Sequence, residues 1–260
     1  MAKRVIYYRD ELNDDFAATR DKIHVKEVDS DYRYLRKNPL WKAASFLLHK
    51  VVAALVGYVL CKFKYGMRIK NRKALRKIKT GYFLYGNHTQ NIADAFLPTL
   101  LAYPRKTYII TGRETVSIPI VKRLVPMMGA LPLPSTIGGM KNLMESLKTV
   151  TEKKCVTAIY PEAHIWPYYN GIRPFTDRSF TYPARLGVPA VGFTVTYRKR
   201  RVFKKLPPPI TVYVGEPVYP EEGKPVSFNR AKLRQGVYDF MVDTIEKHGS
   251  AEYIEYRKVQ

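Results

Sequence analysis

Cysteine is scarce in this chain: Cys61 and Cys155 are the whole complement. That excludes a disulfide framework and a cysteine zinc site, and it makes a reducing compartment the default. Histidine is nearly as scarce, at five residues, so the position of each carries weight. No Gly-x-Ser-x-Gly elbow and no Cys–His pairing is visible, which leaves a nucleophilic Ser or Cys without support. Internal repeats and low-complexity linkers are absent. The N-terminal "MAKRVIYYRDELNDD" is charged and lacks an apolar core followed by a cleavage site, so no signal peptide is expected. Acid is also in short supply. Lys and Arg number 45 against 22 Asp and Glu, a formal net charge of +23 at pH 7.

What is there fills a large core. Hydrophobic residues make up 46% of 260, enough for one large domain, or one domain with an appendage. The charge surplus calls for a polyanionic partner, either nucleic acid or an anionic membrane. Residues 62–79, "KFKYGMRIKNRKALRKIK", carry nine Lys or Arg and no acid, and 198–205, "RKRRVFKK", form a second cluster. Directly before the first cluster lies the most apolar segment, Ala43 to Cys61, with His49 and Lys50 near its middle. A central Lys costs roughly 2.5–3.5 kcal/mol on insertion, which argues against a simple span. On a helical wheel Leu48, Val51, Val52, Leu55 and Val59 form one stripe, and Lys42, Ser45, His49, Ala53 and Gly57 another. That fits a helix in one leaflet, or one packed on the domain with its apolar face outward. An ordinary core helix is the rival reading, and the adjoining polybasic run favours the anionic membrane. No nucleic-acid partner is expected, because the basic clusters lack interleaved stacking aromatics and Gly-rich loops.

Beyond that helix, strand and helix signals alternate. "YGMRIKN" reads as a short strand, followed by strands at 82–87, 107–112, 129–134, 155–162, 188–198 and 210–218. Helices are expected from Asn91, near "PIVKRLVPMM" and over 138–150, and a C-terminal amphipathic helix begins near Phe228 with Asn229 as its cap. Residues 1–40 read as an extended or helical arm. Continuous apolar strands separated by helices predict an α/β fold, with a mixed, mostly parallel sheet covered by helices on both faces. Sites in such sheets form at the carboxyl ends of strands, and His88 and Glu162 each follow one.

In "GNHTQNIAD", 86–94, His88 sits between a strand and a helix with Asp94 six residues on. If Asn91 caps the helix, Asp94 is its third residue, a place a carboxylate favours for the dipole alone. The functional alternative has Asp94 hold one ring nitrogen while the other accepts a proton from a substrate hydroxyl. The second constellation is "AIYPEAHIWPYYNGIRPF", 158–175. There Glu162 ends a strand, and the loop after it supplies Arg173, with Arg178 close behind, cations suited to a phosphate.

Together these blocks resemble the glycerolipid acyltransferases, typified by 1-acylglycerol-3-phosphate acyltransferases. "NHTQNIAD" is similar to the family's Asn-His…Asp block, with a spacer of five residues in place of four. Arg113-Glu114 stand in the leading places of the second block, and Tyr160-Pro161-Glu162-Ala163-His164-Ile165 match Phe-Pro-Glu-Gly-Thr-Arg. Gly171, Pro174-Phe175 and Gly187-Val188-Pro189 continue the order, so the likeness runs from roughly 65 to 215. The usual arginine of the second block is absent, and Ile165 replaces that of the third.

The resemblance implies an O-acyltransferase that moves a fatty acyl group from an acyl thioester to a lysophospholipid hydroxyl, most simply 1-acylglycerol-3-phosphate. His88 and Asp94 would be catalytic. Asn87, Arg113, Glu162, His164 and Arg173 would bind substrate, with Arg173 and Arg113 holding the acceptor's phosphate. Acyl carrier protein or coenzyme A would carry the donor acyl group, with no metal and no bound cofactor. The division expected is 1–62, arm and membrane-associating helix, and 63–260, acyltransferase domain, peripheral or monotopic on the cytoplasmic side of the cell membrane. A different lipid acceptor, or a membrane-tethered scaffold without turnover, stays open.

Overall fold

Five consecutive residues, Tyr82 to Gly86, are all buried, and this run sets the centre of the fold. A strand apolar on both faces needs a layer on each side. Tyr82 and Leu84 point into one core, with Leu97, Leu101 and Phe193, while Phe83 and Tyr85 point into another, with Leu143, Leu147 and Val237. The computed structural model describes residues 4–16, 25, 27–117 and 124–259.

The main sheet has seven strands: β2 (Arg68–Lys70), β3 (Tyr82–Gly86), β4 (Thr107–Thr111), β5 (Ala130–Pro132), β6 (Val156–Ile159), β7 (Ala190–Tyr197) and β8 (Ile210–Val214). Their spatial order is β2-β8-β7-β3-β6-β4-β5. Strands β3 to β7 are mutually parallel, and β7 pairs antiparallel with β8. The mixed, mostly parallel sheet is thus the one expected. Helices α1 (Pro39–Lys64) and α2 (Leu97–Ala102) lie on one face. Helices α3 (Ile137–Glu152), α4 (Thr181–Leu186) and α5 (Val226–His248) lie on the other. Part of "PIVKRLVPMM" falls outside the described residues; within it Leu124–Met127 is helical.

Helix α1 presents its small and polar stripe to the domain. Ser45, His49, Ala53, Gly57 and Cys61 are buried, whereas Phe46, Leu47, Val51, Val52, Leu55, Val56 and Val59 are exposed. An α-helix overshoots by about 40° at each four-residue step, so a stripe with this spacing would drift off the domain. Two wider, π-helical stretches, Leu48–Ala53 and Leu60–Lys64, take up the drift. Contact is close: a Cβ on Gly57 would sit 2.8 Å from Phe96 Cδ1. Ser45 Oγ donates to Met127 O at 2.6 Å, and His49 Nε2 accepts from Thr107 N–H at 3.4 Å. The helix is long and apolar enough to cross a membrane, at 26 residues with mean hydropathy 1.8. Its outward apolar face and protein-bound polar stripe match the arrangement expected for an interfacial helix.

A small second sheet was not foreseen: β1 (Arg4–Tyr8) pairs in parallel with β9 (Ile254–Lys258). The arm therefore shares a sheet with the C-terminal end, and Val28 and Tyr34 enter the core beside α3. Two expected caps are not made. Asn229 lies inside α5, where it accepts from Glu221 N–H at 2.7 Å and ties down the preceding loop. Asn91 is exposed, and the first turn, Ala93–Ala95, starts after Ile92 without a side-chain cap.

Candidate active site

Because β3, β6, β4 and β5 are parallel, the residues after Gly86, Ile159, Thr111 and Pro132 emerge at one edge. That edge gathers His88, Glu162 and Arg113. Gly86 is required at the exit, since a Cβ there would lie 2.1 Å from Phe193 Cζ. Asn87 turns inward. Its Oδ1 accepts from Val195 N–H at 2.8 Å and its Nδ2 donates to Val195 O at 3.0 Å, stitching the turn to β7. Asn87 is thus a buried brace and not, as expected, a group that binds substrate directly.

His88 Nδ1 lies 2.8 Å from Asp94 Oδ2. The same oxygen accepts Thr89 N–H at 3.1 Å and Gln90 N–H at 2.9 Å, so the five-residue spacer folds into a loop that closes on the carboxylate. An ionised carboxylate only accepts, which places the imidazole proton on Nδ1 and leaves Nε2 as the acceptor. Burial pushes the Asp94 carboxyl above its usual range, opposed by the hydrogen bond from His88 and by the two amides. Tyr160 stacks on the imidazole with ring centroids 4.4 Å apart, and its hydroxyl donates to Asp94 O at 2.5 Å. Tyr197 supports the loop from below, donating to Thr89 Oγ1 at 2.7 Å. Tyr160 was read only as the first residue of the third block, without a role, and Tyr197 was not singled out among the strand aromatics.

Glu162 and Arg173 form a buried unit behind the histidine. Glu162 Oε2 accepts His88 N–H at 3.1 Å and Oε1 accepts Arg173 N–H at 3.1 Å. Arg173 Nη2 lies 3.3 Å from Glu162 Oε2 and also donates to His164 O, while Nη1 donates to Glu11 O at 3.2 Å. Its guanidinium sits 4.9 Å over the Trp166 ring. Burial raises the Glu162 carboxyl, opposed chiefly by Arg173. With both side chains fully buried, neither reaches a substrate. This corrects the expectation that Arg173 grips a phosphate and that Glu162 binds substrate directly: the loop folds its arginine inward to neutralise the glutamate.

In front of His88 opens a cavity of about 1160 Å³, above the roughly 300–1,000 Å³ of ordinary ligand pockets. Its wall is largely apolar, with Phe96, Ile109, Met128, Leu133, Met140 and Met144, and Asp94 and His88 stand among the lining residues. His164 also lines it, its Nδ1 3.4 Å from Asp15 Oδ2. Three arginines, Arg113, Arg178 and Arg185, complete the lining, and none has an ion-pair partner among the described residues. Arg185 was missed. The signal was its spacing, since Arg178 and Arg185 are seven residues, about two helical turns, apart. Among the described residues no cluster of three or more His, Cys, Asp or Glu is placed to hold a metal ion.

A histidine–carboxylate pair at the carboxyl edge of an α/β sheet, facing an apolar cavity, has the makings of a general-base site. The chain belongs to the acyltransferase family: the model described as Acyltransferase matches residues 66–196, about half of it. No curated protein matches it. Among solved structures it is similar to the crystal structure of the 1-acyl-sn-glycerophosphate (LPA) acyltransferase, PlsC, from Thermotoga maritima, at 16% identity and a TM-score of 0.52. The match covers 83% of this chain and 98% of that one. At that identity the likeness is one of fold.

Proposed function

We propose that this acyltransferase moves a fatty acyl group from an acyl thioester to the hydroxyl of a lysophospholipid, 1-acylglycerol-3-phosphate giving phosphatidic acid. The observation that carries this reading is the His88–Asp94 pair, 2.8 Å apart, lining a large apolar cavity. His88 Nε2 takes the acceptor's hydroxyl proton as its oxygen attacks the thioester carbonyl. Collapse of the tetrahedral intermediate breaks the carbon–sulfur bond, and the departing thiolate receives the proton from His88. Such general-base assistance is worth roughly 10²–10⁴ in rate, and holding both substrates in the cavity supplies a further share. Asp94 keeps the tautomer, and Glu162 fixes the His88 peptide.

The methionine-lined wall suits an acyl chain. Arg113, Arg178 and Arg185 are the cations we assign to the acceptor's phosphate, since Arg173 is committed to Glu162. The donor carrier is acyl carrier protein or coenzyme A, with no bound cofactor. The enzyme works on an anionic membrane, monotopic, on its cytoplasmic side. Incubation with a labelled acyl thioester and a panel of lysolipids tests the reading. Labelled phosphatidate from lysophosphatidate supports it. Transfer only to acceptors without a phosphate contradicts the assignment of the arginines, and no transfer to any lysolipid contradicts the reaction.

A further inference from the structure

The second basic cluster, "RKRRVFKK", has no part in the site, yet it is placed beside it. Strand β7 is parallel to β3, so the chain after Tyr197 leaves the sheet at the His88 edge. The loop that follows exposes large apolar side chains at its tip: Val202 is 66% and Phe203 75% exposed. Phe203 holds a left-handed backbone, φ 54°, and Leu206 N–H donates to its carbonyl at 2.9 Å, so the tip is a tight turn. Lys199, Arg201, Lys204 and Lys205 flank it without an ion-pair partner among the described residues, and no acidic residue lies between Asp177 and Glu216.

The base of the loop is fixed. Arg200 Nε donates to Pro207 O at 2.8 Å and its Nη2 to Lys64 O at 2.9 Å, while Arg198 donates to Gly66 O. Lys64 is the last residue of α1, and Phe63 beside it is 71% exposed. The loop is therefore bolted to the end of the helix whose outward face is apolar.

We propose that the 198–209 loop is a second lipid-contacting element, whose Val202–Phe203 tip enters the headgroup boundary of an anionic bilayer while the surrounding Lys and Arg bind its phosphates. This rests on the membrane-surface reading above and adds to it an orientation: α1 and the loop together turn the His88 edge toward the lipid. Charge complementarity selects anionic lipid, and the apolar tip, on a loop whose base is tied to the end of α1, selects a bilayer over a soluble acidic partner.

The test uses the full chain and vesicles of phosphatidylcholine with and without phosphatidylglycerol. Val202→Ser with Phe203→Ser should weaken binding to anionic vesicles about tenfold or more. Replacing Lys199, Arg201, Lys204 and Lys205 by Gln should weaken it similarly and flatten its salt dependence. In a Phe203→Trp variant, brominated anionic lipid should quench the added emission relative to the parent chain. Parental binding by the loop variants and no quenching, with release by Val52→Ser and Leu55→Ser, overturns the loop proposal and leaves the membrane reading standing. A parent chain that binds no vesicle overturns both. Loop variants that bind vesicles normally but lose transfer from acyl carrier protein alone overturn the lipid assignment in favour of an acidic protein.

Discussion

Replacing Arg173 with Met separates a buried structural pair from a phosphate clamp. Arg173 is 1% exposed, and its guanidinium contacts Glu162, His164 O and Glu11 O. Removing one partner of a buried pair leaves the other charge uncompensated, at about 3–5 kcal/mol. That is a large part of a typical domain's stability of about 5–15 kcal/mol. Glu162 Oε2 also accepts His88 N–H at 3.1 Å, so the damage passes to the catalytic loop, and kcat falls while the acceptor KM changes little. Adding Glu162→Gln removes the orphaned charge and should restore part of the stability. Urea titration of both variants, with steady-state kinetics on each, measures these effects. An unchanged urea midpoint together with a strongly raised acceptor KM would refute the argument and return Arg173 to the phosphate.

Asp94→Asn should lower kcat by about 10²–10⁴ without unfolding the protein, because the amide no longer enforces Nδ1–H; circular dichroism and initial rates check this together. Arg178→Ala combined with Arg185→Ala should raise the KM for a phosphate-bearing acceptor about tenfold or more and leave a phosphate-free acceptor unaffected. His49, on the inward face of α1, is buried, and its imidazole is lowered from 6.5 to about 4, mainly by burial and then by Lys106. A depressed folded value contributes stability that is fully present above 6.5 and lost as pH falls through about 4. The loss is on the order of 3 kcal/mol, and denaturation at both pH extremes should show it in the parent and much less of it in His49→Gln. Ala163 has φ 62°, a left-handed conformation that glycine adopts more easily, so Ala163→Gly should stabilise the chain by about 0.5–1 kcal/mol, read as a raised urea midpoint.

Local rules carried most of what the sequence disclosed. The all-apolar strands announced a sheet buried on both faces, and the two stripes of α1 announced which side meets the protein, because both are statements about single elements. The His88–Asp94 pair was visible because six residues of loop suffice to bring it together. Long-range pairings were not legible. β1 meets β9 across nearly the whole chain, and nothing in RVIYY or IEYRK names the other as its partner. Arg173 read as a phosphate cation because its partner, Glu162, is 11 residues away through an irregular loop, and charge composition alone does not say which way a side chain turns. Asn91 and Asn229 are good capping types, yet the first turn begins only after Ile92 and α5 already at Val226, so neither residue caps.

The central claim is that His88 is the general base of an acyl transfer. The direct measurement follows the conversion of lysophosphatidate to phosphatidate, from a labelled acyl thioester on anionic vesicles, by the parent chain and by His88→Ala. The geometry predicts product from the parent and less than about a hundredth of that rate from the variant, whose fold and vesicle binding stay intact. A variant that keeps more than about a tenth of the parental rate would contradict it.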